Sequence, residues 1–317
     1  KELKQRWSPP EEHTKYPTLY PPLSLALFTA VAAAGPENAP LVWKLIVTVF
    51  GIMTVIIIGL ILQSLGQLRQ LSLVAFSPLL ILETGVGVHV DVVSALLVSL
   101  LLYTFHFQKV VLTGFFIGLG ALTKILPLML LLPLFFGLKK IKFRVQIGIA
   151  TVMTVIAGYA LSASFGFIPV GSIGTLFEKW RFGSPLFSML ELLLDGELLL
   201  YAIVFIFVMA CTTLCYKSYK LQQTISVTNP LLLWSMAIVL LLSPVVFPWY
   251  LMALVPLLAL SPRPFFLVWI SLVPVTYEVL GGFVSADQWS PATWPLFVIA
   301  LGFMLSIYLE LRTKSRT

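Results

Sequence analysis

The chain has 317 residues, 59% of them hydrophobic and only 10% charged, with a mean hydropathy of +1.00. An ordinary soluble domain is about a quarter charged, so this composition cannot build a water-facing surface and excludes one. The net charge of +7 does not mark a nucleic-acid binder, because most basic residues fall in short loops between apolar runs, where they act as topology signals and lipid-headgroup contacts.

In chain order, the polar stretch from Lys1 to Tyr20 lacks an initiator Met and has no signal sequence before it. At least one further membrane helix is therefore expected upstream. Tyr16, Pro17, Thr18, Leu19, Tyr20, Pro21, Pro22 and Leu23 then open a short apolar segment that ends at Gly35 and should lie in the outer leaflet or re-enter. Roughly 20 apolar residues are needed to cross about 30 Å of hydrocarbon. The clearest such runs are Leu41 to Leu65, Val145 to Leu161, Leu198 to Cys215 and Pro295 to Leu309. Shorter runs are Leu71 to Glu83, Val92 to Phe107, Val110 to Leu122, Ile125 to Phe136, Leu231 to Ser243, Trp249 to Leu260 and Phe265 to Leu280. At about 1.5 Å per residue several reach only partway, so they should extend into polar flanks or stop at a cavity. The expected fold is an all-α polytopic transmembrane bundle of about eleven passes, some short. No long linker, low-complexity tract or fixed-period repeat interrupts it, so residues 1–317 read as a single domain.

If Leu41 to Leu65 runs inward and each later run reverses, the inner side receives twelve of the twenty basic residues, from Arg69 to Arg316. The same threading puts twelve of the thirteen acids outside, Glu310 being the exception. The predicted orientation has the N-terminal segment outside and the C-terminus in the cytoplasm. Cys211 and Cys215, one helical turn apart, complete neither a zinc site nor an expected disulfide, and no metal-ligand spacing or cofactor motif is present.

Function is sought where polar residues resist the composition, because an ionisable side chain in a bilayer is expensive. Glu83 to Asp91 is the first such cluster: two glycines permit a tight turn and place His89 beside Asp91 at a helix mouth. The plain alternative makes Asp91 an N-cap and His89 an interfacial ring. Thr123 and Lys124, followed by Pro127, interrupt an otherwise apolar stretch, where the lysine either binds a lipid phosphate or snorkels. In the outer loop Glu178, Lys179, Trp180, Arg181 and Phe182 suit a phosphorylated glycolipid, arginine for the phosphate and an aromatic face for the sugar, although an interfacial belt would look similar. Ser243 to Tyr250 holds Pro244 and Pro248 with Trp249 and Tyr250, which taken alone reads as an aromatic belt.

The order of these features resembles polytopic glycosyltransferases of the GT-C type, in particular bacterial mannosyltransferase-like proteins of glycosyltransferase family 87. The resemblance runs through Tyr20 to Leu23, Glu83 with His89-Val90-Asp91, Thr123-Lys124 with Pro127, Trp180 to Phe182, and Ser243 to Tyr250. Val90 and Phe247 depart from the family's usual polar residues at those places. The resemblance also implies a catalytic acid in a Gly-Asp context upstream of the Tyr-Pro-Pro segment, before this chain starts.

What it implies is transfer of a hexose, mannose or a relative, from a polyprenyl-phosphate donor to a lipid or glycan acceptor on the outer face. Asp91 and Glu83 would be the catalytic acids within the chain; Tyr20, His89, Lys124, Lys179, Trp180, Arg181, Trp249 and Tyr250 would bind substrate; no cofactor is implied. A transporter or flippase of a lipid-linked substrate, or a noncatalytic relative, remains the alternative reading.

Overall fold

The computed structural model describes residues 18–166, 171, 174, 178, 180–221, 230–281 and 291–314. It is all-α: the described residues contain no strand, only one isolated parallel bridge between Phe182 and Val245.

Each of the eleven apolar runs is helical. In chain order the elements are α1 (Pro22–Ala32), α2 (Ala39–Ser64), α3 (Leu68–Ala75), α4 (Pro78–Gly87), α5 (Asp91–His106), α6 (Val110–Thr123), α7 (Leu126–Gly137), α8 (Ile141–Ser164), α9 (Pro185–Leu193), α10 (Gly196–Lys220), α11 (Leu231–Leu242), α12 (Pro248–Leu260), α13 (Pro264–Gly281) and α14 (Trp294–Lys314). By length and composition five of these can cross a membrane, namely α2, α8, α10, α13 and α14; α3 and α4, bent by 46° at their junction, make a sixth if counted as one span. The remaining apolar helices have 10–17 residues and reach only about 15–25 Å. Helix length thus accounts for five or six crossings, fewer than the eleven of the sequence threading. The short α1, at 11 residues, cannot cross.

The short helices form the centre and the long ones the outside. α5 is buried on nearly every face, from Asp91 through Phe105, packed between α2, α6 and α12. By contrast, few residues of α8 and α10 are buried. Exposed leucines, isoleucines and phenylalanines on these two helices form a lipid-compatible surface.

α6 and α8 meet through small residues. A Cβ on Gly114 would lie 2.8 Å from Ala150, and one on Gly118 would lie 2.6 Å from Thr154 Cβ. Thr151 Oγ1 donates to Gly114 O at 3.0 Å across the seam. Such close backbone approach is how helices associate where burial from water is no driving force.

Candidate functional site

The site begins with a widened turn. Ser77 caps α4, its Oγ accepting from Leu80 N at 3.4 Å, and Pro78 occupies the first helical position. Residues Glu83–Gly87 then loosen into a π turn that ends at Val88, with φ 51° and ψ 40°. A β-branched residue there is a backbone outlier that surrounding structure must hold. Trp43 on α2 does so, its indole N–H donating to Val88 O at 2.8 Å.

The turn folds His89 back onto Glu83, with Nδ1 2.5 Å from Oε2; the pair is an ion pair when the imidazole is protonated. Glu83 is fully buried, and its other oxygen accepts from the Tyr277 hydroxyl on α13. Both carboxylate oxygens are thus engaged, which a buried carboxylate requires. Gly87 is needed here: a Cβ would collide with Glu83 Oε2 and lie 2.7 Å from His89 Nδ1.

Asp91 opens α5 but is not its N-cap. Val90 holds that position without a side-chain cap, and Asp91, 3% exposed, pairs with Lys124. Lys124 lies where α6 breaks: its backbone is extended (φ −155°, ψ 140°) and its N–H donates to Gly120 O at 2.8 Å. Its ammonium also sits 3.4 Å from the centroid of the Tyr250 ring, a cation–π contact opposite the ion pair. Lys124 therefore points inward to a counter-charge and does not snorkel outward.

Tyr20 reaches this pair because Pro22 starts α1 and Ser24 Oγ donates to Thr123 O at 2.8 Å, docking α1 against the end of α6. Burial first, and the Asp91 charge second, raise the Tyr20 phenol above its ordinary value.

An aromatic column closes the other side. His89 stacks on Trp249 at 3.9 Å between centroids, Trp249 on Phe247 at 4.5 Å, and Phe247 leans on Phe182 at 4.7 Å. The outer loop is tied in by backbone: Phe182 N donates to Pro244 O at 3.0 Å and Val246 N to Phe182 O at 2.7 Å. Gly183, at φ 65°, is required for that approach, since a Cβ would strike Val246 O. Phe247, a departure from the resemblance, fills the middle of this column; Val90, the other, is buried in a cluster with Leu23 and Leu27.

Six of the expected residues therefore converge: Glu83, His89, Asp91, Lys124, Trp249 and Tyr250, with Tyr20 in electrostatic reach of Asp91. Arg181 is engaged differently, donating to Glu191 Oε1 on α9 at 2.7 Å and to the carbonyls of Glu178 and Trp180. Trp180 is 38% exposed, and Lys179 lies outside the described residues. Tyr277, Trp43 and the column position of Phe182 had no sequence signal, since an aromatic residue in an apolar segment is ordinary core. Ser94 is a further addition: one turn after Asp91, its hydroxyl is buried without a partner among the described residues.

Compared with known proteins, the chain matches no protein-family model, no curated protein and no solved structure. The chemistry must accordingly be read from the site. Among the described residues no three His, Cys, Asp or Glu side chains converge as metal ligands. An apolar groove of about 1120 Å³ runs between α1, α6 and α8, lined by Leu23, Ala26, Leu119, Leu122, Ala157 and Leu161; Lys124, two residues after Leu122, is not part of its lining. Its rim includes the exposed Met153 and Leu161, on the apolar surface of α8.

Proposed function

We propose that this chain is a membrane hexosyltransferase of the GT-C type, moving a hexose such as mannose from a polyprenyl-phosphate donor to a lipid or glycan acceptor at the outer face of a bacterial plasma membrane. The observation that carries the reading is the Asp91–Lys124 pair, a carboxylate and an ammonium brought together at a helix break against the Tyr250 ring, with an apolar groove along the same helix that ends at Lys124.

In this reading the groove takes the polyprenyl chain and Lys124 receives the phosphate. The acceptor hydroxyl oxygen bonds to the anomeric carbon while the bond from that carbon to the phosphate oxygen breaks. The phosphate leaves with the bonding electrons, and Lys124 stabilises the added charge. A carboxylate takes the hydroxyl proton. Asp91 takes that role once phosphate competes for Lys124. Glu83, saturated by Tyr277 and His89, holds the imidazole against Trp249 and so shapes the sugar-facing wall.

In this reading the orientation is that of the charge pattern, N-terminal segment outside and C-terminus in the cytoplasm, with the short central helices counted as passes that extend into polar flanks or stop at a cavity. Transport of a lipid-linked substrate is the second reading, favoured by one feature: broken helices, bent by 46° between α3 and α4 and interrupted at Lys124.

The test is transfer of labelled sugar from a polyprenyl-phosphate donor in membranes carrying the protein. Asp91→Asn preserves size and removes proton-accepting ability; a large loss of rate with donor affinity retained places Asp91 at the acceptor. Undiminished transfer in both Asp91→Asn and Lys124→Ala would sink the reading.

A further inference from the structure

The end of the bundle remote from the candidate site carries a second concentration of charge. Leu122 packs against Gly158 of α8, close to Lys124, whereas α8 begins at Ile141. At 1.5 Å per residue the start of α8 lies about 25 Å from that level, close to the thickness of a hydrocarbon core.

There, Lys139, Lys140 and Lys142 are exposed at the start of α8, and Lys217 and Lys220 are exposed at the end of α10. Arg144 ties the two ends together: its guanidinium lies 5.9 Å from the Tyr219 ring of α10, and it donates to Leu138 O at 2.7 Å at the end of α7. No Asp or Glu occurs anywhere from residue 138 to 146 or from 211 to 230. The lysines therefore repel one another with no carboxylate nearby in the chain.

Their placement makes the imbalance sharper. Lysines suit the C-terminus of α10, but cations at the N-terminus of α8 oppose the helix dipole. That N-terminus has no acid in its first turn and no side-chain cap. An anion seated there satisfies free backbone N–H groups and the lysines together. The surroundings specify its carrier: the exposed Ile141, Val145 and Ile149 continue from the lysines along α8, and Tyr216 and Tyr219 stand beside them on α10. A phosphate with attached acyl chains fits both the charged end and the apolar flank.

We propose that the lysine-rich surface where the start of α8 meets the end of α10 is a binding site for anionic phospholipid, its headgroup phosphate held by Lys139, Lys140, Lys142, Lys217 and Lys220. The site is independent of the transferase reading.

The test uses the full chain purified in detergent, with phosphatidylglycerol and phosphatidylcholine as probes and retention of each lipid read by native mass spectrometry. The wild type should prefer phosphatidylglycerol. Each lysine removed should reduce that preference by about fivefold, so Lys217→Gln/Lys220→Gln and Lys139→Gln/Lys140→Gln/Lys142→Gln should both lose it, while Lys44→Gln should retain it. In the wild type, a photoactivatable phosphatidylglycerol should attach within residues 139–149 or 211–221. The proposal is overturned if the wild type shows no preference, if both multiple variants keep it, if adducts map elsewhere, or if inorganic phosphate displaces the lipid as well as phosphatidylglycerol does.

Discussion

Replacing Lys124 by Met removes the ammonium while keeping the length of the side chain and its contact with Tyr250. Asp91 is left 3% exposed inside α5, without the ion-pair partner it has among the described residues. Breaking a buried pair by deleting one partner costs about 3–5 kcal/mol, because the remaining charge is desolvated without compensation. Lys124 retains 25% side-chain exposure, so water enters readily and the lower end, about 3 kcal/mol, is expected. Removing both charges in Lys124→Met/Asp91→Asn should recover at least half of that loss, since neither group is then stranded. Thermal unfolding of the detergent-purified variants, followed by tryptophan fluorescence, reads both effects. Equal stability of wild type and Lys124→Met would refute the argument, as would a double variant whose loss is the sum of the two single ones.

Gly87→Ala should separate His89 from Glu83, because the added methyl occupies the space between them, and should lower stability in the same unfolding assay; an unchanged unfolding transition would count against it. Val88→Asn should stabilise the protein by about 1 kcal/mol in the same unfolding assay, since asparagine accepts the left-handed conformation that valine resists. Arg181→Ala should cost less than about 1 kcal/mol of stability, because Arg181 and Glu191 are 40% and 39% exposed; a larger loss would mean the loop depends on that pair. Cysteine labelling in intact cells should modify position 178 from outside and positions 139–144 only after permeabilisation; the reverse pattern would invert the proposed orientation.

The apolar runs were legible because an uninterrupted run of leucine, isoleucine and valine is itself the signal, and every one of them is helical. Glu83, His89, Asp91 and Lys124 were legible for the opposite reason, as costly exceptions within that pattern. Their partners were not. Asp91 looked locally like a cap, and only the fold shows Lys124, 33 residues away, taking its carboxylate. Tyr277 bonds Glu83 across 194 residues from inside an apolar run, where one tyrosine carries no message. Arg181 was read as a phosphate ligand on its chemistry alone; Glu191, ten residues on and one helix away, competes for the same guanidinium. Crossing number was hard to read because each short run, such as those on either side of Lys124, was counted as a pass, whereas its helix is too short to cross by length alone.

The glycine seam between α6 and α8 acts as a ruler. With Gly114 and Gly118 lodged against Ala150 and Thr154, α6 cannot slide or rotate along its neighbour without driving side chains into backbone. The height of Lys124 is thereby indexed to α8, whose far side is exposed and apolar and whose first turn lies about 25 Å away along the helix. One residue inserted into α6 beyond Gly118 would lift Lys124 by about 1.5 Å and turn it by about 100°, away from Asp91. Residues on the lipid-facing side of α8 are under no such restriction, so sequence drift there can proceed without disturbing the charge pair it calibrates.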